Sequence, residues 1–288
     1  MSHAVVAHEN AAAFLDRAEP WLLTNEAENN LILSLAYARR DKGLSEADAL
    51  FATIETAGQV VGCAIRTPPH KLLLTRMPVA AAPALTAVVA EMYDEIPAVL
   101  GPGPEAEAVA AEWVGRRGGR CAPGLPQRIY RLDDVVPPAG VPGSLRLAGE
   151  SDLDLATEFA VGFAQDAGQQ FALNREGIRR YIDRQVLYIW DDEGPVSMVV
   201  AQGATPNGCR IGFVYTPGPA RGRGYGSAAT AAASQAQLDA GRTFCVLYTD
   251  LTNPVSNRIY QRIGYRPILD VRDVDIHPPD PAGGSSGS

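Results

Sequence analysis

The segment Val214-Tyr-Thr-Pro-Gly-Pro-Ala-Arg-Gly-Arg-Gly-Tyr-Gly-Ser-Ala-Ala229 joins an apolar run to an alanine-rich one through glycines at 222, 224 and 226 and arginines at 221 and 223. Glycines let a backbone pass close to a ligand with its N–H groups exposed, and a helix starting here would turn the positive end of its dipole toward an anion. With Arg221 and Arg223 adding charge, the loop from Arg221 to Ser227 reads as a pyrophosphate cradle. The plainer reading is a glycine-rich strand-to-helix turn with two solvated arginines. A dinucleotide fingerprint gains support from Asp250, but it needs glycine at position 227, where the chain has serine, and it belongs on a first βαβ unit. A Walker loop fails because no G-K-[ST] follows.

A second segment, Asp250-Leu-Thr-Asn-Pro-Val-Ser-Asn-Arg-Ile-Tyr-Gln-Arg-Ile-Gly-Tyr265, carries a full set of helix signals. Thr252 or Asn253 serves as N-cap, Pro254 takes the first helical position, and Gly264 ends the helix. Val255, Ile259 and Ile263 recur every four residues and predict the face that packs on a sheet. Asn253, Asn257 and Tyr260 share another, polar face. On the plain reading the asparagines cap and solvate this helix and Tyr260 fills a gap.

Arg221-x-x-Gly224-x-Gly226 at a helix start, followed after one strand by Asn253-Pro-x-Ser256-Asn257-x-x-Tyr260-x-x-x-Gly264-Tyr265, resembles the acetyl-CoA-binding core of the GNAT acetyltransferase superfamily. The resemblance spans residues 144 to 276, and the pairing of both motifs is more specific than either alone. It implies a strand ending Phe213-Val214-Tyr215-Thr216 that splays from its neighbour and bonds the acetyl and pantetheine groups through its backbone. It implies that Arg221, Gly222, Arg223, Gly224, Tyr225, Gly226 and Ser227 hold the pyrophosphate, that Asn253 and Asn257 contact pantetheine, and that Tyr260 sits by the sulfur as general acid. The backbone N–H groups of Val214 and Tyr215 would stabilise charge on the thioester oxygen. The implied activity is transfer of an acetyl group from acetyl-CoA, as acyl-donor substrate and without a metal, to a primary amine of a small molecule by direct attack. A protein N-acetyltransferase, a longer acyl donor, and a non-catalytic acyl-CoA sensor or assembly module stay open as alternatives. Asp166, Glu193 and Asp250 are the candidate bases, each with an ordinary turn or cap role beside it.

These motifs need strands and helices to position them. In the second half, strands are expected near 144–148, 186–191, 195–203, 209–215, 243–249 and 266–276, with helices near 151–165, 174–184, 225–240 and 254–263. The first half repeats that order: helices near 11–18 and 28–40, strands near 50–56, 59–66 and 71–77, a helix near 81–94, a short strand at 98–100, a helix near 105–116 and a strand near 126–132. The fold class is therefore α/β with a mixed (α+β) sheet, as tandem GNAT-like domains from an old duplication. The Pro/Gly-rich run Val136–Gly143 predicts a linker between a domain at 1–135 and a catalytic domain at 144–277, and the Pro/Gly/Ser tail 278–288 reads as disordered, ending in what could be an appended linker. The first half departs from the family pattern. Leu73-Leu-Thr-Arg-Met-Pro-Val-Ala-Ala-Ala82 has no glycine, and Glu105 and Glu107 follow Gly101-Pro-Gly-Pro, so a degenerate domain without CoA is expected.

Composition narrows the partners. With 25 Lys+Arg against 33 Asp+Glu, the net charge of -8 argues against a nucleic-acid or anionic-membrane binder. No apolar run suggests a membrane span and the start lacks a secretory pattern, so a cytoplasmic protein is expected, with a homodimer compatible. Cys63, Cys121, Cys209 and Cys245 lie far apart and suggest neither a disulfide framework nor a zinc cage.

Overall fold

The computed structural model describes residues 2–42, 48–166 and 173–279. It divides into two compact units: Met1–Arg128 with Asp250–Thr252 and Leu269–Ser288, and Ile129–Thr249 with Asn253–Ile268. Most of the expected tail, 280–288, lies outside the described residues.

In chain order the first half forms β1 (Ala4–Ala7), α1 (Ala11–Leu23), α2 (Asn30–Lys42), β2 (Leu50–Thr56), β3 (Gln59–Arg66), β4 (Leu72–Leu74), α3 (Ala82–Met92), β5 (Ala98–Pro102), α4 (Gly103–Arg117) and β6 (Arg120–Leu132). The second half runs β7 (Ser144–Leu147), α5 (Leu153–Asp166), α6 (Arg175–Asp183), β8 (Leu187–Asp191), β9 (Pro195–Gln202), β10 (Gly208–Tyr215), α7 (Tyr225–Asp239), β11 (Phe244–Asp250), α8 (Pro254–Arg262) and β12 (Arg266–His277). The two orders are the same element for element. β1 is the one strand the sequence did not announce; its four residues, AVVA, are too few to show a period.

Within the first unit the strand order is β1-β2-β3-β4-β5-β12-β6, with β4 and β5 parallel and the pairs from β1 to β4 antiparallel. Within the second it is β6-β11-β10-β9-β8-β7, with β10 and β11 parallel and the pairs from β7 to β10 antiparallel. The expected boundary at Val136–Gly143 needs correction. The last strand of each half is exchanged: the end of β12 pairs antiparallel with β5, from Val271↔Pro102 to Asp275↔Ala98, and belongs to the first unit. The end of β6 belongs to the second unit, where it neighbours β11. A Pro/Gly cluster marks where a chain turns, but it does not report which sheet the strand before it joins.

The second unit has a core on each sheet face. Val199, Ala201, Cys209, Ile211, Cys245 and Leu247 pack with Tyr225, Ala228 and Ala229 of α7. Met198, Val200, Leu187 and Ile189 pack with Phe159 and Ala160 of α5 and Ile178 of α6. Alternation along each strand sends neighbouring residues to opposite faces. Alanines and hydroxyls let α7 lie close to the sheet, and its interior hydroxyls are satisfied within the helix: Thr230 donates to the Gly226 carbonyl at 2.7 Å and Ser234 to that of Thr230 at 2.8 Å. Among the described residues no helix is long and apolar enough to cross a membrane.

Candidate active site

The parallel register of β10 and β11 runs only from Gly208↔Phe244 to Arg210↔Val246. Beyond it β10 follows β9, with Gly212 opposite Val200 and Tyr215 opposite Met198, so Phe213 and Val214 together face one residue of β9. That is a β-bulge, and Phe213 takes a left-handed backbone angle of φ 50° to make it. A bulge twists its strand and releases ladder groups from regular pairing, which gives the expected splay its local cause.

Several contacts hold the bulge in place. The buried Ser197 of β9 donates to the Tyr215 carbonyl at 2.8 Å and lies 2.9 Å from the Thr216 hydroxyl. With its own proton committed to the carbonyl, Ser197 accepts from Thr216. The Tyr215 ring leans on Phe159 at 5.6 Å and over Gly162, where any Cβ would overlap the phenol. Phe213 meets Phe163 at 5.3 Å and Tyr181 at 6.0 Å. Ser197 and Gly162 were not singled out by sequence reasoning; a serine in an apolar strand and a glycine in mid-helix are the signals that could have found them.

After Thr216 the chain turns into α7. Gly222 and Gly224 have φ of 79° and 85°, conformations that favour glycine, and Gly224 is an N-cap without a side-chain hydrogen bond. The first N–H groups of α7, those of Tyr225, Gly226 and half-buried Ser227, therefore point out of the helix start with no capping side chain. A Cβ on Gly226 would lie 3.1 Å from the Thr216 hydroxyl, so the helix start and the bulged strand end approach closely. The Tyr225 side chain is in the core and its hydroxyl donates to Asp192, so only its backbone N–H faces outward at the helix start. Arg223 lies over the Tyr225 ring and 3.6 Å from Asp192. Arg221 donates through Nε to the Thr216 carbonyl at 2.8 Å and is paired through its other end with Asp166.

On α8 the asparagines have internal duties. Asn253 accepts from the Ser256 N–H at 3.1 Å as the helix cap. Asn257 donates to the Asn253 carbonyl at 2.7 Å and accepts from the Tyr130 hydroxyl at 2.9 Å. Tyr260 is different. It is half-buried, packs edge-on against Tyr265 at 6.1 Å, and among the described residues its hydroxyl has no hydrogen-bond partner. Burial pushes its pKa up to about 12, so the phenol is protonated throughout the neutral range.

The three candidate bases all hold structural positions. Asp166 pairs with Arg221, Glu193 is exposed in a left-handed turn between β8 and β9, and Asp250 accepts from the N–H and hydroxyl of Thr252, each at 2.7 Å. Cys209 and Cys245, distant in sequence, are register partners with sulfurs 3.9 Å apart, both buried free thiols.

The loop after β4 of the first unit differs from that after β10. Met77 is buried against Gly62, and its N–H donates to the carboxylate of buried Glu105 at 3.4 Å. Glu107 is paired with Arg272 at 2.5 Å. Here a carboxylate, not an open backbone, faces the turn from strand to helix.

The profile of the family described as FR47-like protein matches residues 192–273, which contain the bulge, the glycine loop and Tyr260. No curated protein matches the chain. Among solved structures, a Drosophila protein is similar over 96% of this chain and 99% of its own, at 14% identity and TM-score 0.66. A GNAT-family acetyltransferase from Colwellia psychrerythraea is similar over 95% of this chain and 99% of its own, at 13% identity and TM-score 0.56. A tandem GNAT protein from the clavulanic acid biosynthesis pathway is similar over 98% and 100%, at 11% identity and TM-score 0.55. The chain has the GNAT acetyltransferase fold, and it has it twice, in tandem.

Proposed function

We propose that the second unit is an acetyl-CoA-dependent N-acetyltransferase acting on a primary amine of a small molecule. The observation that carries this reading is the close approach of a β10 end, bulged and parted from β11, to the uncapped glycine-rich start of α7; Tyr260 on α8 supports it with a hydroxyl that has no hydrogen-bond partner among the described residues. The parted strand edge suits an amide-rich pantetheine arm, and the helix start suits a pyrophosphate. The amine attacks the thioester carbon, the C–N bond forms, the C–S bond breaks, and the departing sulfur takes a proton with Tyr260 as donor. The test is thiol release from acetyl-CoA across a broad amine panel; release that needs no amine, or none with any amine despite binding, defeats the reading.

The Arg221–Asp166 pair predicts opposite effects of two substitutions. Both side chains are about half exposed (51% and 50%), so the pair itself contributes little to stability. Asp166→Ala frees the guanidinium and should tighten acetyl-CoA binding by up to about fivefold. Arg221→Ala removes a charge-assisted contact and should weaken it about tenfold. Calorimetry reads both; equal affinities in all three proteins would remove Arg221 from the cradle.

The pH profile follows from Tyr260. A general acid must be protonated, and a phenol raised to about 12 stays so until the solution is strongly alkaline. Turnover should therefore rise with pH as the acceptor amine loses its proton and show no fall below about pH 10. A descending limb near pH 8 would assign the acid to another group.

A further inference from the structure

α8 is nine residues long and none of them is buried. A helix that short takes its stability from packing more than from its own ladder. Yet Val255, which the spacing put on the packed face, is exposed, and Ile259 is half-buried. The C-terminal end of α8 is held by the chain that follows β6: the Val136 N–H donates to the Ile263 carbonyl at 3.0 Å, and Gly264 turns against the Asp134 carbonyl. The body of the helix needs another anchor.

The end of β6 supplies it. Tyr130 is wholly buried in the core that also contains Ile263 and Tyr265. Its hydroxyl donates to the Asn257 side-chain oxygen at 2.9 Å and accepts from the Gln261 side-chain amide at 3.4 Å. Asn257 and Gln261 are four apart, so they lie one above the other along one side of the helix, and Tyr260 falls within the turn between them. The other end of the Asn257 amide is tied to the Asn253 carbonyl at 2.7 Å. One buried phenol therefore grips a full turn of α8, the turn that carries Tyr260. The Tyr260 hydroxyl has no hydrogen-bond partner among the described residues, so no bond at its own tip fixes its place. That place follows from the ring contact with Tyr265 and from the backbone beneath it.

We propose that Tyr130 is a positioning residue of the site: it sets the height and rotation of α8 on the sheet, and through them where the Tyr260 hydroxyl stands. The effect on turnover rests on the transferase reading, with Tyr260 in the proton path; the anchoring of α8 does not. Tyr130→Phe keeps the ring in the core and removes the grip. It should lower kcat about tenfold, inside the range that a small misplacement of a catalytic group costs. Acetyl-CoA affinity should stay within about threefold of the parent. In a Tyr260→Phe background the same change should cost less than about twofold, because a residue that acts through Tyr260 has nothing left there to position. Tyr188→Phe is the matched control: it removes a hydroxyl that accepts from Gln237 of α7 at 3.1 Å, and kcat should stay within about twofold. An unchanged kcat in Tyr130→Phe, an equal loss in both backgrounds, or an equal loss in Tyr188→Phe overturns the proposal. Should the parent release no thiol with any amine, or Tyr260→Phe keep the parent's rate, that reading of the chemistry falls and amide hydrogen exchange decides. Exchange at Asn257–Arg262 that is about tenfold faster in Tyr130→Phe, and unchanged in Tyr188→Phe, sustains the anchor. Exchange there at the parent's rate in Tyr130→Phe, or equally faster in both variants, overturns it.

Discussion

Replacing Tyr260 by Phe lowers the rate of acetyl transfer about 10²-fold and leaves acetyl-CoA affinity within about twofold of the parent. The ring stays, so its edge-on contact with Tyr265 at 6.1 Å and the packing of α8 are kept. What is lost is one hydroxyl with no partner among the described residues, so no buried group is stranded by its removal. The size of the effect follows from when the hydroxyl works. An alkyl thiol has a pKa near 8.5, and a phenol at about 12 would give its proton to the free thiolate at a cost of about 4–5 kcal/mol. Sulfur is more weakly basic still while bonded to carbon, so Tyr260 cannot act as an isolated donor: it serves as a relay, passing its proton to sulfur as the C–S bond breaks while the cationic nitrogen of the adduct gives up an N–H proton to refill the phenol, a net transfer from nitrogen to sulfur that is downhill. That places its contribution in the transition state, and kcat is the constant that falls. A variant that lost affinity and kept kcat would make Tyr260 a binding residue.

Replacing Gly264 by Ala destabilises the protein by about 3 kcal/mol, a combination of backbone strain and a forced shift in a packed region. Gly264 has φ 109°, and a Cβ there would overlap the carbonyl oxygen of Asp134. Neither partner can yield cheaply, since both are backbone. Gly264 ends α8, with the Tyr265 N–H donating to the Tyr260 carbonyl at 3.0 Å, so the turn also fixes where Tyr260 stands. The expected reading is a fall in Tm of about 5–12 °C. Gly222→Ala is the comparison: its φ is 79° but a Cβ there meets nothing within 4 Å, so strain acts alone and the loss should be about 1 kcal/mol. Equal losses at the two glycines would mean that the Asp134 contact carries no weight.

Local signals reached far in this chain. The strands expected at 50–56 and 59–66 fall at those bounds, and α8 begins at Pro254 behind the Asn253 cap. Those features depend on neighbours within a few residues. The features that needed the third dimension stayed hidden. Exchange of β6 and β12 between units depends on which sheet edge each strand meets, and a strand carries no mark of its partner. Burial of the Tyr225 side chain, the pairing of Cys209 with Cys245, and the engagement of Asn257 by Tyr130 join residues far apart in sequence. For the site, the motifs marked the loop and α8. They did not mark Ser197 or Gly162, which hold the bulge.

Initial rates of amine-dependent thiol release from acetyl-CoA, measured side by side for the parent protein, Tyr260→Phe and Arg221→Ala, test the central claim most directly. The account predicts release by the parent, a fall in kcat for Tyr260→Phe, and a rise in KM for acetyl-CoA for Arg221→Ala. Release at the same rate and the same KM in all three would show that the chemistry is not done at this site.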